Sequence, residues 1–294
     1  MNYKLTDFEK DSAKSNNTAF RLAWRIPLLL WQTIFFLGPF IFMIAMSFFL
    51  VKNYRMVEAF ELVNWFKMMG RHTFWSSYWF TLTLASAATV IASAIAFPVA
   101  YALAFRVSET TRRCAIFLLI VPFFTSYLVR IFSWYVVLAE AGPLNAMLSD
   151  IGFGPFTMLN TSFGTIVGYM TLTLPLVLIL QTISLANIDR RLIEAAHNLG
   201  CGGLRVIITV IFPAARTGFI IAALFVFILS FGDFVSPYYL GGSKPPTLSI
   251  LIIDTTKSGQ QWPRAAVVAI MMMATLFSVA FASIWYAYRR RINV

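Results

Sequence analysis

The sequence predicts an all-α membrane protein built on six transmembrane helices, and three observations carry that prediction. The 294 residues are 59% hydrophobic and only 12% charged, with 29 Phe and 8 Trp, which is more apolar surface than a water-soluble domain of this length can bury. The excess is gathered into six runs of about 20 residues or more, the length that crosses a bilayer as a helix. Each run holds at most one charge. Lys and Arg are also sorted by side: fourteen of 23 fall in the N-terminal tail, the two segments after the second and fourth runs, and the C-terminus, and Arg216 at the start of the fifth run makes fifteen. Six crossings put both termini on one side, and the basic excess makes that side cytoplasmic. A net charge of +11 could suggest nucleic acid, but its scatter over short connecting loops is that of topology signals, so no nucleic-acid partner is expected.

Residues 1–26 read as a polar cytoplasmic tail, with Lys4, Asp7, Glu9, Lys10, Asp11 and Lys14 ahead of a Ser-Asn-Asn-Thr stretch. Residues 27–294 read as one six-helix domain. The first run, Ile26 to Val51, is too long for a signal core and lacks a small-residue cleavage site. From Lys52 to Trp79, Trp65, Trp75, Tyr78 and Trp79 alternate with charges, as at a membrane face, and an interfacial helix fits there. Phe80 to Phe105 is the second span, rich in Ala, Ser and Thr at spacings that let helices approach. Cys114 to Ala139 is the third, with Arg130 as its one charge. A cation at that depth must face the bundle, a partner or water. Ser162 to Leu185 is the fourth, bent or ended near Pro175. Phe212 to about Phe231 is the fifth, with Arg216 near enough to its start to snorkel. Ala265 to Tyr288 is the sixth, closed by Arg289, Arg290 and Arg291.

The chain carries little chemistry of its own. No phosphate-cradling G-x-x-x-x-G-K-[ST] stretch is present, and Gly241-Gly242-Ser243-Lys244 follows no strand. Cys114, Cys201, His72 and His197 cannot assemble a metal framework, and the histidines read as loop residues. No catalytic cluster emerges, so the chain is not expected to be an enzyme and no cofactor is expected in it. A transporter driven by an ion gradient would show acids buried in mid-span, paired broken helices and an inverted repeat; none is evident.

The segment from Asn187 to Pro213 is a polar island in this background. Leu192, Ala195, Ala196 and Leu199 recur at helical spacing, Arg190, Arg191 and Glu194 fall on the other sides, and Gly200 stands where a left-handed stop is cheapest. Glu194-Ala195-Ala196, then Gly200, then Pro213 resembles the EAA loop of ABC-importer permeases, E-A-A-x3-G-x9-I-x-L-P, with Val210 in place of Ile and Phe212 in place of Leu. The resemblance implies the type I importer permease fold and makes Glu194, Ala195, Ala196 and Gly200 the residues that couple it to a separate ATPase. It also implies a second permease subunit, two cytoplasmic ATPase subunits that hold ATP and Mg, and a periplasmic solute-binding protein.

Pro122 to Arg130, Gly232-Asp233-Phe234-Val235-Ser236-Pro237, Leu240-Gly241-Gly242, Trp262-Pro263 and Ala265-Ala266 are similar to the spermidine/putrescine permease subfamily, where Glu is common at the position of Asp233. This resemblance spans nearly all of residues 27 to 290 and implies a small, cationic solute such as a polyamine. Relatives of this form also serve opines and amino-acid derivatives. From the residues themselves, Asp233 with Phe231, Phe234, Tyr238 and Tyr239 around it suits a cation, or else is an ordinary helix-end turn residue. Trp134 and Tyr135 read as interface anchors or path-lining contacts. Arg130 either meets solute or pairs with Asp233 or Glu140.

Overall fold

No water reaches the hydrocarbon core of a membrane, so apolar runs there must satisfy their own backbone, and helices do so. The computed structural model describes residues 24–289. The expected N-terminal tail therefore lies outside the described residues except for Trp24 to Ile26, which already belong to the first helix, and Arg290 and Arg291 lie outside them too. In chain order the elements are α1 (Trp24–Met46), strands β1 (Leu50–Lys52) and β2 (Arg55–Val57), α2 (Val63–Met69), α3 (His72–Phe105), α4 (Glu109–Ile120) and α5 (Tyr127–Leu138). There follow α6 (Pro143–Asp150), α7 (Ser162–Ala186), α8 (Arg190–Asn198), α9 (Gly203–Gly232), α10 (Val235–Tyr239), α11 (Leu248–Lys257) and α12 (Trp262–Tyr288). Among the described residues, six stretches are long and apolar enough to cross a membrane: α1, α3, Tyr127–Asp150, α7, α9 and α12.

The core is a three-helix packing of α3, α7 and α9. Its cause is a stripe on α3: Ala88, Ala92, Ala96, Ala100 and Ala104 recur every four residues and are at most 1% exposed. Methyl side chains let the backbones of α7 and α9 come close, which is how helices gain packing where lipid removes the hydrophobic drive. Val177, Leu178, Leu185, Val206, Ile211, Ala222 and Val226 fill the opposite side of this seam.

Several expected boundaries move, each for a local reason. The first span ends at Met46 rather than Val51, because β1 and β2 form a hairpin turned by Asn53 and Tyr54, both at positive φ. Asn64 anchors this turn by donating to the carbonyls of Ser47 and Phe49 at 3.1 and 2.6 Å. The interfacial helix is found as α2. The second span starts at His72, not Phe80, and at 34 residues is about 50 Å long, well beyond the hydrocarbon core. The expected third span, Cys114 to Ala139, is not one helix: Pro122 opens a tight turn over Val121–Phe124, and Thr125 and Ser126 are extended before α5 starts. The fifth span begins nine residues early because the helix runs through Pro213. That proline has no N–H for the Thr209 carbonyl, and one wide turn, Ile207–Ile211, absorbs the mismatch. The sixth begins at Trp262, with Pro263 in its first turn. The loop expected between the last two spans folds into α10 and α11.

Candidate functional site

The segment expected to couple, Asn187 to Pro213, opens with the nine-residue helix α8, whose two ends are closed by its own sequence. Asp189 caps the start of α8, its Oδ1 accepting from Arg191 N at 3.0 Å. At the other end Gly200 N donates to His197 O at 2.9 Å and Cys201 N to Ala196 O at 3.1 Å. That pair of bonds is the Schellman stop, and it needs a left-handed residue. Gly200 supplies it at φ +80°. The apolar residues do not form the single inward stripe expected. Ala196 alone is buried, with Ile193 half-buried beside it against the core cluster, while Leu192 and Leu199 are 52% and 85% exposed. Inward residues here are spaced by three, and Leu192 and Leu199 fall past the edge of that narrow face. Ala195 and Glu194 are exposed as well. Glu194 borders a small cavity of about 160 Å³ with Arg190, Ile193, Tyr101 and Phe105. Leu204 and Ile208 extend the exposed apolar surface to the first turns of α9, at 78% and 65%.

The second group of expected residues lies near the other end of α9. Asp233 leaves that helix in an extended conformation and is half-buried. Its Oδ1 accepts from Val235 N at 2.9 Å, and its Oδ2 accepts from Ser236 N at 3.3 Å, Ser236 Oγ at 2.5 Å and Tyr127 Oη at 2.5 Å. Four donors use most of a carboxylate's capacity. The carboxylate thus caps α10 and ties it to α5. The expected aromatic ring is only partly present: Phe231 is fully buried and stacked on Phe227, Tyr239 packs on Phe132 at 4.9 Å, and Phe234 and Tyr238 are 45% and 49% exposed.

Arg130 pairs with neither Asp233 nor Glu140, since neither carboxylate lies within ion-pairing distance. Its Nη1 donates to the carbonyl of Thr171 at 3.0 Å. That carbonyl is available because Pro175, four residues on, has no N–H to return. The lone cation in this span therefore fills the gap that a proline opens in α7. Its guanidinium also lies 5.7 Å from the centre of the Tyr127 ring, and its Nε is buried without a partner. Trp134 and Tyr135 are 36% and 44% exposed, while α5 turns Ile131 and Leu138 inward.

Tyr127 thus joins Asp233 and Arg130, and the sequence reading did not single it out. Two signals were available: Tyr127 precedes Arg130 by three residues, on one helical face, and Asp233-Phe234-Val235-Ser236 has the spacing of a capping turn. Gly168 of α7 lets α10 approach, since a Cβ there would meet the Ser236 side chain at 2.6 Å.

A bundle with six membrane-length helices among the described residues and an exposed, self-capped connecting helix has the architecture of a membrane transport component. Residues 94–294 match the family described as binding-protein-dependent transport system inner membrane component, and the chain belongs to that family. It is a permease subunit of an ABC importer and a multi-pass inner-membrane protein. It is 28% identical over 270 residues to the spermidine/putrescine transport system permease protein PotB of Haemophilus influenzae, covering 90% of this chain and 92% of that protein. To the protein of the same description from Escherichia coli strain K12 it is 28% identical over 245 residues, 82% and 88% of the two chains. Among solved structures, a chain of a bacterial alginate ABC transporter in complex with alginate pentasaccharide-bound periplasmic protein superposes with a TM-score of 0.73 at 16% identity, over 96% of this chain and 98% of that one. That likeness shows the fold.

Proposed function

We propose that this permease forms one half of the translocation path of an ATP-driven importer for a small organic cation of the polyamine type. The observation that carries the solute class is the similarity to the two spermidine/putrescine permeases over most of both chains. In this reading both termini and α8 face the cytoplasm, as the distribution of Lys and Arg favours. A second permease completes the path, two ATPase subunits bind ATP and Mg, and a periplasmic protein delivers the solute. Glu194, Ala195, Ala196 and Gly200 make up the coupling surface. The exposed Leu192, Leu199 and Leu204 give an ATPase groove apolar contacts around the Glu194 carboxylate, which takes charge-assisted hydrogen bonds. When ATP closes the ATPase pair, α8 moves with it and the permease pair changes between inward- and outward-facing states.

Arg130, Trp134, Tyr135, Asp233 and Tyr238 belong to the outer part of the path in this reading. Exposed aromatic faces at Trp134, Tyr135 and Tyr238 attract a passing ammonium group. Arg130 and Asp233 shape the path indirectly, through the Thr171 carbonyl that Pro175 leaves without a donor and the seating of α10. The test is uptake of putrescine by liposomes holding both permeases, with and without the ATPase subunits and the binding protein. Uptake that requires all of them and ATP supports the reading. Uptake without the ATPase ends it, and ATP-driven uptake of anions in preference to amines ends the solute assignment.

A further inference from the structure

One arginine ties the first part of α9 to the end of α12. Arg216 Nη2 donates to the Tyr286 carbonyl at 2.7 Å, and its guanidinium stands 3.9 Å from the centre of the Tyr286 ring. That bond uses one of the five N–H donors of the group. At the last residue of α12 and beyond, a second cation follows: the Arg289 guanidinium lies 4.8 Å from the centre of the Trp285 ring. Among the described residues the one ion pair is that of Arg113 with Glu109, so neither Arg216 nor Arg289 has a carboxylate beside it there.

From Tyr286 an open groove of about 430 Å³ runs between the two helices, lined by Ile220, Ala223 and Phe227 of α9 and by Val279, Ala282 and Tyr286 of α12. Ile220, Ala223 and Phe227 recur at helical spacing from Arg216, and Val279, Ala282 and Tyr286 do so up to Arg289. Each set is therefore one helical face, and both faces end at an arginine. Two turns of each helix make the groove about 10 Å long. No residue that lines it is charged. Both helices are long and apolar enough to cross a membrane, so hydrocarbon is the medium that meets this groove. A free phosphate would satisfy the arginines and leave the groove empty, and an uncharged chain would do the reverse. A phospholipid carries both parts, because guanidinium groups take phosphate oxygens in charge-assisted pairs and an acyl chain fills apolar space. We propose that α9 and α12 hold one anionic phospholipid of the phosphatidylglycerol type, with its phosphate on Arg216 and Arg289 and an acyl chain in the groove below Tyr286. This site is separate from the α8 surface and from the Asp233 group, and it does not depend on the identity of the solute.

The test uses the importer with all its subunits, stripped of lipid in detergent, and counts retained lipid by native mass spectrometry. Wild type should retain phosphatidylglycerol in preference to phosphatidylcholine of the same chain length. Arg216→Gln and Arg289→Gln should each lower that preference about fivefold, the value of one basic residue toward an anionic lipid, and Arg216→Lys should largely keep it. Ala282→Phe, which fills the groove at an exposed position, should lower retention of both lipids and leave their ratio unchanged. Arg289 is exposed as well, so its variant keeps the test decisive if Arg216→Gln does not fold. An unchanged preference in Arg289→Gln and Arg216→Gln overturns the headgroup assignment, and unchanged retention in Ala282→Phe overturns the groove. Displacement of the lipid by glycerol phosphate alone overturns the lipid in favour of a free phosphate. A benzophenone attached at Ala282→Cys should crosslink to lipid in native membranes; crosslinking to another subunit instead would make this face a protein interface and overturn the proposal.

Discussion

Replacing Gly200 separates backbone conformation from side-chain contact more cleanly than any other change in the coupling segment. A Cβ added there meets nothing within 4 Å, yet φ is +80°. The whole cost of a larger residue is therefore conformational, about 1–2 kcal/mol for an L-residue with a Cβ held in the left-handed region. A β-branched valine falls at the upper end of that range. If the Schellman stop holds α8 in its docking geometry, that cost shifts the docked fraction by about 5- to 30-fold, and ATP-driven uptake should fall with it. Solute binding by the periplasmic protein should not change. Gly200→Asn should be milder, because Asn visits this region with less penalty. Gly202 provides the control: its φ is −67° and it caps α9, a position where serine is preferred, so Gly202→Ser should leave uptake intact. Uptake measured in liposomes for the series Gly200→Asn, Gly200→Val and Gly202→Ser decides the matter. Normal uptake in Gly200→Val, or an equal loss in Gly202→Ser, would refute the conformational explanation.

The Arg130 bond to Thr171 gives a double-mutant cycle. Arg130→Ala should cost about 1–3 kcal/mol of stability by leaving the Thr171 carbonyl unsatisfied, and that cost should shrink in a Pro175→Ala background, where residue 175 regains its N–H; equal costs in both backgrounds, read by denaturation in detergent, would remove the link between cation and proline. Asp233→Asn should destabilise by about 1.5–3 kcal/mol because donors converge on the carboxylate, and Tyr127→Phe should cost less, since Ser236 remains. In uptake, equal losses for a cationic and a neutral solute are expected from a capping role, and a larger loss for the cationic one would instead make Asp233 a solute contact. Ala96→Leu should lower stability by about 1–3 kcal/mol through overpacking, as Ala96 is fully buried in the α3 seam; a tolerated leucine would mean that the close approach of α3 to its neighbours is not required.

The spans were legible in the sequence because hydropathy over about 20 residues is a property of composition. Their ends were not, because the ends depend on contacts across the fold. The side chain of Asn64 and two positive-φ residues stop α1 short of Val51, and the wide turn before Pro213 lets α9 start at Gly203. The glycine stop at Gly200 was readable, since left-handed φ is a local demand that few residues meet. The direction of the α8 faces was not. Leu192 and Leu199 have the spacing of a buried stripe, but which face of a short helix turns inward depends on packing against Ala100 and Ala104 of α3, distant in sequence. Arg130 was legible as a cation needing a partner. Its partner, a backbone carbonyl, leaves no residue-type signature except the proline four positions on.

In the proposed coupling role, the way α8 is held decides how it would pass motion on. Ala196 packs in the same buried cluster as Ala100 and Ala104 of α3, Leu185 of α7, and Val206 and Ile211 of α9. Side chains at interior density leave no slack, so a displaced Ala196 must carry these neighbours with it rather than slide past them. Three prolines interrupt the helices that receive the motion, Pro98 in α3, Pro175 in α7 and Pro213 in α9, and each removes an internal hydrogen bond where bending is then cheaper. Pro175 is the exception in one respect, because Arg130 bridges its gap from α5. A push on α8 is thus expected to bend α3 near Pro98 and α9 near Pro213 while α7 stays straighter.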